Sequence, residues 1–95
     1  MSVLSKEEIQ ENLQNLNGWS FSDNQIEKTY QFKDFIDAFS FVSSVAFESE
    51  KLDHHPDIFL HSWNKVKISI STHSVGGVTS KDFQLANLIE KRLNK

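Results

Sequence analysis

Three of the four histidines, His54, His55 and His73, occur in the company of carboxylates. Glu50, Asp53 and Asp57 flank the His54–His55 pair, and Asp82 follows His73 after a short loop sequence. Histidine is the side chain whose ordinary pKa, about 6.5, lets it both give and take a proton near neutrality. Two or three imidazoles with carboxylates to orient them suit general acid–base catalysis. Adjacent His54 and His55 point in different directions and so would do different jobs.

Each of these residues also has an ordinary structural explanation. Histidines at a helix C-terminus are favourable charges at the negative end of the dipole. Glu50 and Asp53 fit solvated helix positions, Asp82 fits the third residue of a helix cap, and His73 and His61 fit a strand surface. His61 takes that surface reading. A metal reading has enough imidazole in His54, His55 and His73, but neighbouring histidines rarely converge on one ion. The sequence has no Cys and no Gly-x-Ser-x-Gly elbow for a nucleophile. Gly76-Gly77 lacks the flanking pattern of a phosphate loop. Trp19 and Trp63 fit packing roles, although an aromatic near the histidines could stack on a flat ring.

The scaffold for such a site is small. The chain has 95 residues, 10 Lys plus Arg against 13 Asp plus Glu, and a formal net charge of −3. That length makes residues 1–95 a single domain. The mild acidic excess argues against direct nucleic-acid binding, which needs clustered Lys and Arg. No apolar run approaches the ~18–20 residues that span a bilayer, and the N-terminal residues resemble neither a signal nor a transit peptide. With no Cys to bridge, the expected home is a reducing compartment, the cytoplasm. So short a domain buries only about 60–65% of its unfolded surface, so a partner subunit is expected to help.

The elements follow from periodicity. Ser5-Lys6-Glu7-Glu8 reads as a capping box ahead of a helix with Ile9, Leu13 and Leu16 on one stripe, ended by Asn17-Gly18. Trp19 and Phe21, then Ile26, Lys28, Tyr30 and Phe32, alternate with polar residues around a Ser22–Gln25 turn, which makes a β-hairpin. Residues 33–53 read as a helix whose stripe holds Phe35, Ala38, Phe39, Val42, Val45, Ala46 and Leu52, widened by Phe41. Ile36 and Phe47 lie about 100–120° round from Phe35, an arc that suits either deep burial or a second subunit. Pro56 closes this helix. Ile58 and Leu60, then Val66, Ile68 and Ile70, form a second hairpin turning at Asn64-Lys65. Thr79-Ser80-Lys81-Asp82 opens a last helix with Leu85, Leu88, Ile89 and Leu93. The α-β-β-α-β-β-α order predicts an α+β fold: a four-stranded antiparallel sheet with three helices packed on one face. The other face would be partly open, lined by Phe59, His61, Lys67 and Ser69.

One combination of residues resembles a known signature. Glu50, three spacers, His54-His55-Pro56, the aromatic Trp63, nine residues, His73, and Asp82 after a loop match the pattern of the pterin-4a-carbinolamine dehydratases. The resemblance extends over Asn64-Lys65-Val66 and the last helix, with Leu85-Ala86 and Ile89-Glu90. Trp63 stands where many members carry Tyr, and Asp57–Ser62 is less typical.

The resemblance implies an enzyme with no cofactor and no metal that removes water from a 4a-hydroxytetrahydropterin, giving the quinonoid dihydropterin in pterin recycling. It implies a catalytic set of His54, His55 and His73, in which His54 and His73 move protons and His55 binds and orients the pterin. Glu50, Asp53, Pro56, Trp63 and Asp82 are the expected binding or orienting residues. It also implies homodimers joined at sheet edges, often paired into homotetramers through helices. Some animal members bind a transcription factor as a dimerisation cofactor, which would add a nuclear location and a second, protein-binding role.

Overall fold

The computed structural model describes residues 2–93. The first helix, α1, spans Lys6–Leu13 and starts on the expected box. Ser5 Oγ accepts the Glu8 N–H at 3.1 Å, and Glu8 Oε1 accepts the Ser5 N–H at 2.8 Å. It ends a turn earlier than the stripe suggested. Leu16 is still buried, because a tight turn (Leu16 N–H to Leu13 O, 3.0 Å) folds it back onto the core. Gly18 then takes a left-handed φ of 84° to start the sheet.

Strands β1 (Ser20–Ser22) and β2 (Gln25–Gln31) are joined by Asp23 and Asn24. Both turn residues have positive φ, 52° and 61°, as a tight antiparallel hairpin requires. Strands β3 (Asp57–His61) and β4 (Lys65–Ile70) form the second hairpin. The sheet order is β1-β2-β4-β3, antiparallel throughout, which the residue pattern alone left open. Register places Ile26 opposite Ile70 and Tyr30 opposite Val66. Ile26, Tyr30, Val66, Ile68 and Ile70 are thereby buried on one face. On the opposite face Phe59 is exposed and Lys67 is half-buried, while Ser69 is covered.

Helix α2 (Phe35–Leu52) and helix α3 (Ser80–Leu93) complete the layer on the buried face. Asp34 caps α2 by accepting the Asp37 N–H at 2.8 Å. The core face of α2 carries Ala38, Phe41, Val45, Glu48 and Ser49, so it is rotated from the expected stripe. Phe41 stacks into a ring cluster, 4.7 Å from Tyr30 and 5.0 Å from Phe32. Glu48 is drawn inward by Arg92 of α3, whose Nε donates at 2.6 Å. The rotation leaves Phe35 and Phe39 outside with Ile36 (74% exposed) and Phe47 (61%), a second apolar face on one helix. Among the described residues no helix is long and apolar enough to cross a membrane.

Candidate active site

The end of α2 sets the first imidazole. Asp53 adopts a left-handed conformation (φ 52°, ψ 47°). Its N–H bonds to Glu50 O at 3.3 Å, and the His54 N–H bonds to Ser49 O at 3.0 Å. This pair of reversed bonds is a Schellman stop, which satisfies the last helix carbonyls and turns the chain sharply. The turn sends His54 inward, towards the start of α3, while His55 continues outward.

The start of α3 sets its partner. Asp82 is the third residue of the helix, and its Oδ2 reaches back to the Thr79 N–H at 2.8 Å. That reciprocal cap places a carboxylate at the positive end of the helix dipole. Asp82 is 0% exposed, and a buried carboxylate needs several donors to remain charged. It has three: the Thr79 N–H, the Thr72 hydroxyl at 3.0 Å on Oδ2, and His54 Nε2 at 2.5 Å on Oδ1. An ionised carboxylate only accepts, so His54 Nε2 carries a hydrogen and donates it. Nδ1 has no hydrogen-bond partner among the described residues. The His54 side chain is 11% exposed, so it sits at the edge of the core rather than in open solvent.

His55 Nε2 pairs with Glu50 Oε2 at 2.6 Å across the helix stop, both side chains being exposed. Pro56, half-buried, leads from this pair into β3. His73 is the exposed first residue of a 3₁₀ turn, His73–Val75, that follows β4. The base of its loop is closed by Thr72, whose N–H bonds to Gly77 O at 2.9 Å. Because Asp57 pairs with Ser69, the start of β3 and the end of β4 lie at the same end of the sheet. His54, His55, His73 and Asp82 therefore come from elements that meet at one end of the fold.

Two expected site residues have other surroundings. Asp53 is exposed, and its visible contribution is the left-handed backbone that stops α2. Trp63 lies in the β3–β4 turn, where Ser62 and Trp63 both have positive φ. That turn is at the opposite end of the hairpin from Asp57, a separation of about 20 Å at ~3.3 Å per strand residue. Within one chain Trp63 is therefore not brought beside His54. His61 stacks on Phe59 with ring centroids 4.7 Å apart. Among the described residues no group of three or more His, Cys, Asp or Glu is placed to hold a metal ion.

Thr72 and Thr79 were not among the expected site residues. The available signal was positional: Thr72 precedes His73, and Thr79 occupies the cap position of the helix that carries Asp82. A second, half-buried network lies elsewhere. Glu90 Oε2 accepts from Trp19 Nε1 at 3.1 Å, Lys28 Nζ at 2.9 Å and the Tyr30 hydroxyl. Burial pushes the Glu90 carboxyl up, but the bonds from Tyr30, Lys28 and Trp19 outweigh it and hold it below the usual carboxylate range. Burial, reinforced by Glu90, raises Tyr30 far above an ordinary phenol. A cleft of about 370 Å³ between α2 and the end of α3, floored by Phe32 and Phe41, contains none of the histidines.

Comparison with known proteins identifies the lineage. The family model described as pterin 4 alpha carbinolamine dehydratase matches residues 2–92. The chain belongs to that family. A relative from Sulfolobus acidocaldarius, named "Putative pterin-4-alpha-carbinolamine dehydratase", is 42% identical over 88 residues, covering 93% of this chain and 96% of its own. A relative of the same name from Roseiflexus castenholzii is 47% identical over 90 residues, covering 95% and 96%. The crystal structure of a transcriptional coactivator/pterin dehydratase from Brucella melitensis superposes with a TM-score of 0.89 at 38% identity. It covers 95% of this chain and 97% of that one. A pterin dehydratase-like protein described as a RuBisCO assembly factor of the alpha-carboxysome shares the fold, with a TM-score of 0.63 at 16% identity. Membership in the dehydratase family thus rests on sequence along nearly the whole chain as well as on shape.

Proposed function

We propose that this dehydratase-family protein removes water from a 4a-hydroxytetrahydropterin, giving the quinonoid dihydropterin, by histidine general acid–base catalysis in the recycling of tetrahydropterin. The observation that carries the mechanism is the buried Asp82 holding His54 Nε2–H, which leaves Nδ1 for the substrate. Loss of hydroxide from C4a is slow unless an acid protonates the departing oxygen. The C4a–O bond breaks, a ring N–H gives up its proton, and the new double bond forms between that nitrogen and C4a. One proton is donated and one is taken, so the site returns to its starting charge once the two are exchanged. His54 and His73 are the pair assigned to these transfers. Either order suits imidazoles, whose ordinary pKa lies near the working pH. Asp82 stabilises the imidazolium form of His54 through a charge-assisted bond. His55, paired with Glu50 at the exposed rim, takes the role of binding the pterin, which that pair supports.

The second apolar face of α2 supports self-association into dimers or tetramers. Exposed Phe35, Ile36, Phe39 and Phe47 on one helix of so small a domain form the kind of patch that marks an interface. A transcription-factor partner is the competing occupant of that face, and it rests on the naming of the Brucella melitensis relative as a coactivator. We place the activity in the cytoplasm.

The test is direct. Purified protein is added to freshly generated 4a-hydroxytetrahydropterin, and quinonoid dihydropterin is followed by ultraviolet absorbance. Acceleration over buffer is expected, and replacing both His54 and His73 by Ala should remove most of it while circular dichroism stays native. A rate equal to that in buffer would sink the enzymatic reading.

A further inference from the structure

We infer that Thr72 is a positioning residue for the histidine site, acting through Asp82 on His54 and through its own backbone on His73. The inference rests on the dehydratase reading above. Thr72 is buried, and its hydroxyl donates to Asp82 Oδ2. A threonine hydroxyl has one hydrogen and two acceptor positions. Because Asp82 can only accept, the Thr72 hydrogen is committed to Oδ2 at 3.0 Å. The Thr79 hydroxyl lies 2.8 Å from that of Thr72 and also accepts the Lys81 N–H at 3.2 Å, which ties Thr72 to the first turn of α3. The Thr72 hydroxyl dipole thus points at Asp82 Oδ2, while His54 is held on Oδ1.

This arrangement has a consequence for proton transfer. The Thr79 N–H and the Thr72 hydroxyl occupy Oδ2, so Oδ1 is left to the imidazole. They also share the carboxylate's charge. Removal of the Thr72 donor leaves Asp82 less compensated, and it then holds the imidazolium form of His54 more tightly. Asp53 and His55 are the ionisable chain neighbours of His54, and Asp82 faces it from α3. Asp82 is the one bonded to the ring. Meanwhile the Thr72 N–H bonds to Gly77 O at 2.9 Å, and its carbonyl accepts the Gly76 N–H at 3.0 Å. One residue therefore sets both the ring of His54 and the loop that presents His73.

The experiment compares Thr72→Val, which keeps the shape and removes the hydroxyl, with Thr72→Ser, which keeps the hydroxyl. The kcat and KM of the dehydration are measured across pH, and nitrogen-15 spectra report the His54 ring in the same intact proteins. For Thr72→Val we expect kcat to fall about tenfold or more with KM within about threefold, because positioned proton transfer rather than binding is impaired. The limb of the kcat/KM profile governed by His54 should move to higher pH, and Thr72→Ser should restore both. An unmoved profile and rate in Thr72→Val, or an equal loss in Thr72→Ser, would overturn the inference. If wild-type protein shows no dehydration, the His54 spectra still decide: ring resonances and titration unchanged in Thr72→Val would overturn it independently. Thr72→Ala carries the same readouts if the valine variant lacks a native spectrum.

Discussion

The sharpest test of the site is Asp82→Asn, because the substitution keeps size and removes only charge and one acceptor. The Asn oxygen must face the Thr79 N–H, which cannot turn away, whereas the Thr72 hydroxyl can rotate. The amide NH₂ then faces His54 Nε2. Two donors cannot share that bond, so the ring must lose its Nε2 hydrogen and carry it on Nδ1 instead. The atom offered to substrate changes from an acceptor to a donor in the neutral ring, and the imidazolium loses its counter-charge. Positioned acid–base groups contribute about 10²- to 10⁴-fold, so kcat should fall by that order. One hydrogen bond to a charged group is worth about 1.5–3 kcal/mol. In a domain of this size each kcal/mol lowers Tm by about 4–8 °C, so a drop near 10 °C is expected and the protein stays folded at 25 °C. Activity is followed by ultraviolet absorbance and the tautomer by nitrogen-15 shifts of the His54 ring. Activity within threefold of wild type, or an unchanged Nε2–H tautomer, would refute the orientation argument. The sign contrasts with Thr72→Val: one substitution removes the anion, the other leaves it under-compensated, and the two should move the His54-governed limb in opposite directions.

Three further outcomes are expected. Glu90 is held below the ordinary carboxylate range, so its stabilisation is present above the unfolded value of about 4.3 and is lost as pH falls through the lower folded value. Glu90→Gln should therefore lower Tm at pH 7 and flatten the acid side of the stability curve; an unchanged curve contradicts the network's role. Phe39→Asp or Phe47→Asp should reduce particle size in sedimentation while dilute activity persists, and unchanged size removes α2 as the interface. Phe41 is not an alternative target, since it is buried in the core. Asp53→Gly should raise stability by about 0.5–1 kcal/mol, because glycine tolerates left-handed φ at less cost, with kcat/KM nearly unchanged. A tenfold loss would assign the Asp53 carboxylate to the substrate.

Helix and strand positions were legible because they depend on local rules. Ser5 with Glu8, Asp23 and Asn24 in the first turn, and Pro56 after α2 each act on their own neighbourhood. The rotation of α2 was not legible, since Glu48 is buried by a partner on α3, Arg92, that no local window contains. The same limit applies to strand order, which is decided by contacts between hairpins. For the proposed site, spacing singled out His54, His55, Glu50 and Asp82, and their pairing into His54–Asp82 and His55–Glu50 required the fold. Trp63 shows the reverse case: a residue at signature spacing that the hairpin carries away from the histidines.

Asp82 shows how a helix start can hold a buried carboxylate against an imidazole. A buried carboxylate is costly, and it is retained only where fixed donors and a favourable dipole meet it. The first turn of α3 supplies a backbone N–H and the positive end of the helix, and Thr72 arrives from the end of β4 with a hydroxyl. The carboxylate is therefore met by three donors without a bulky cation. The same bonds that start α3 also set the tautomer of His54. The first turn of this helix and the His54 ring share one carboxylate, so substitutions at Thr79 or Asp82 should change stability and activity together. Substitutions at Glu50, whose bond to His55 lies in solvent, should change activity with little effect on stability.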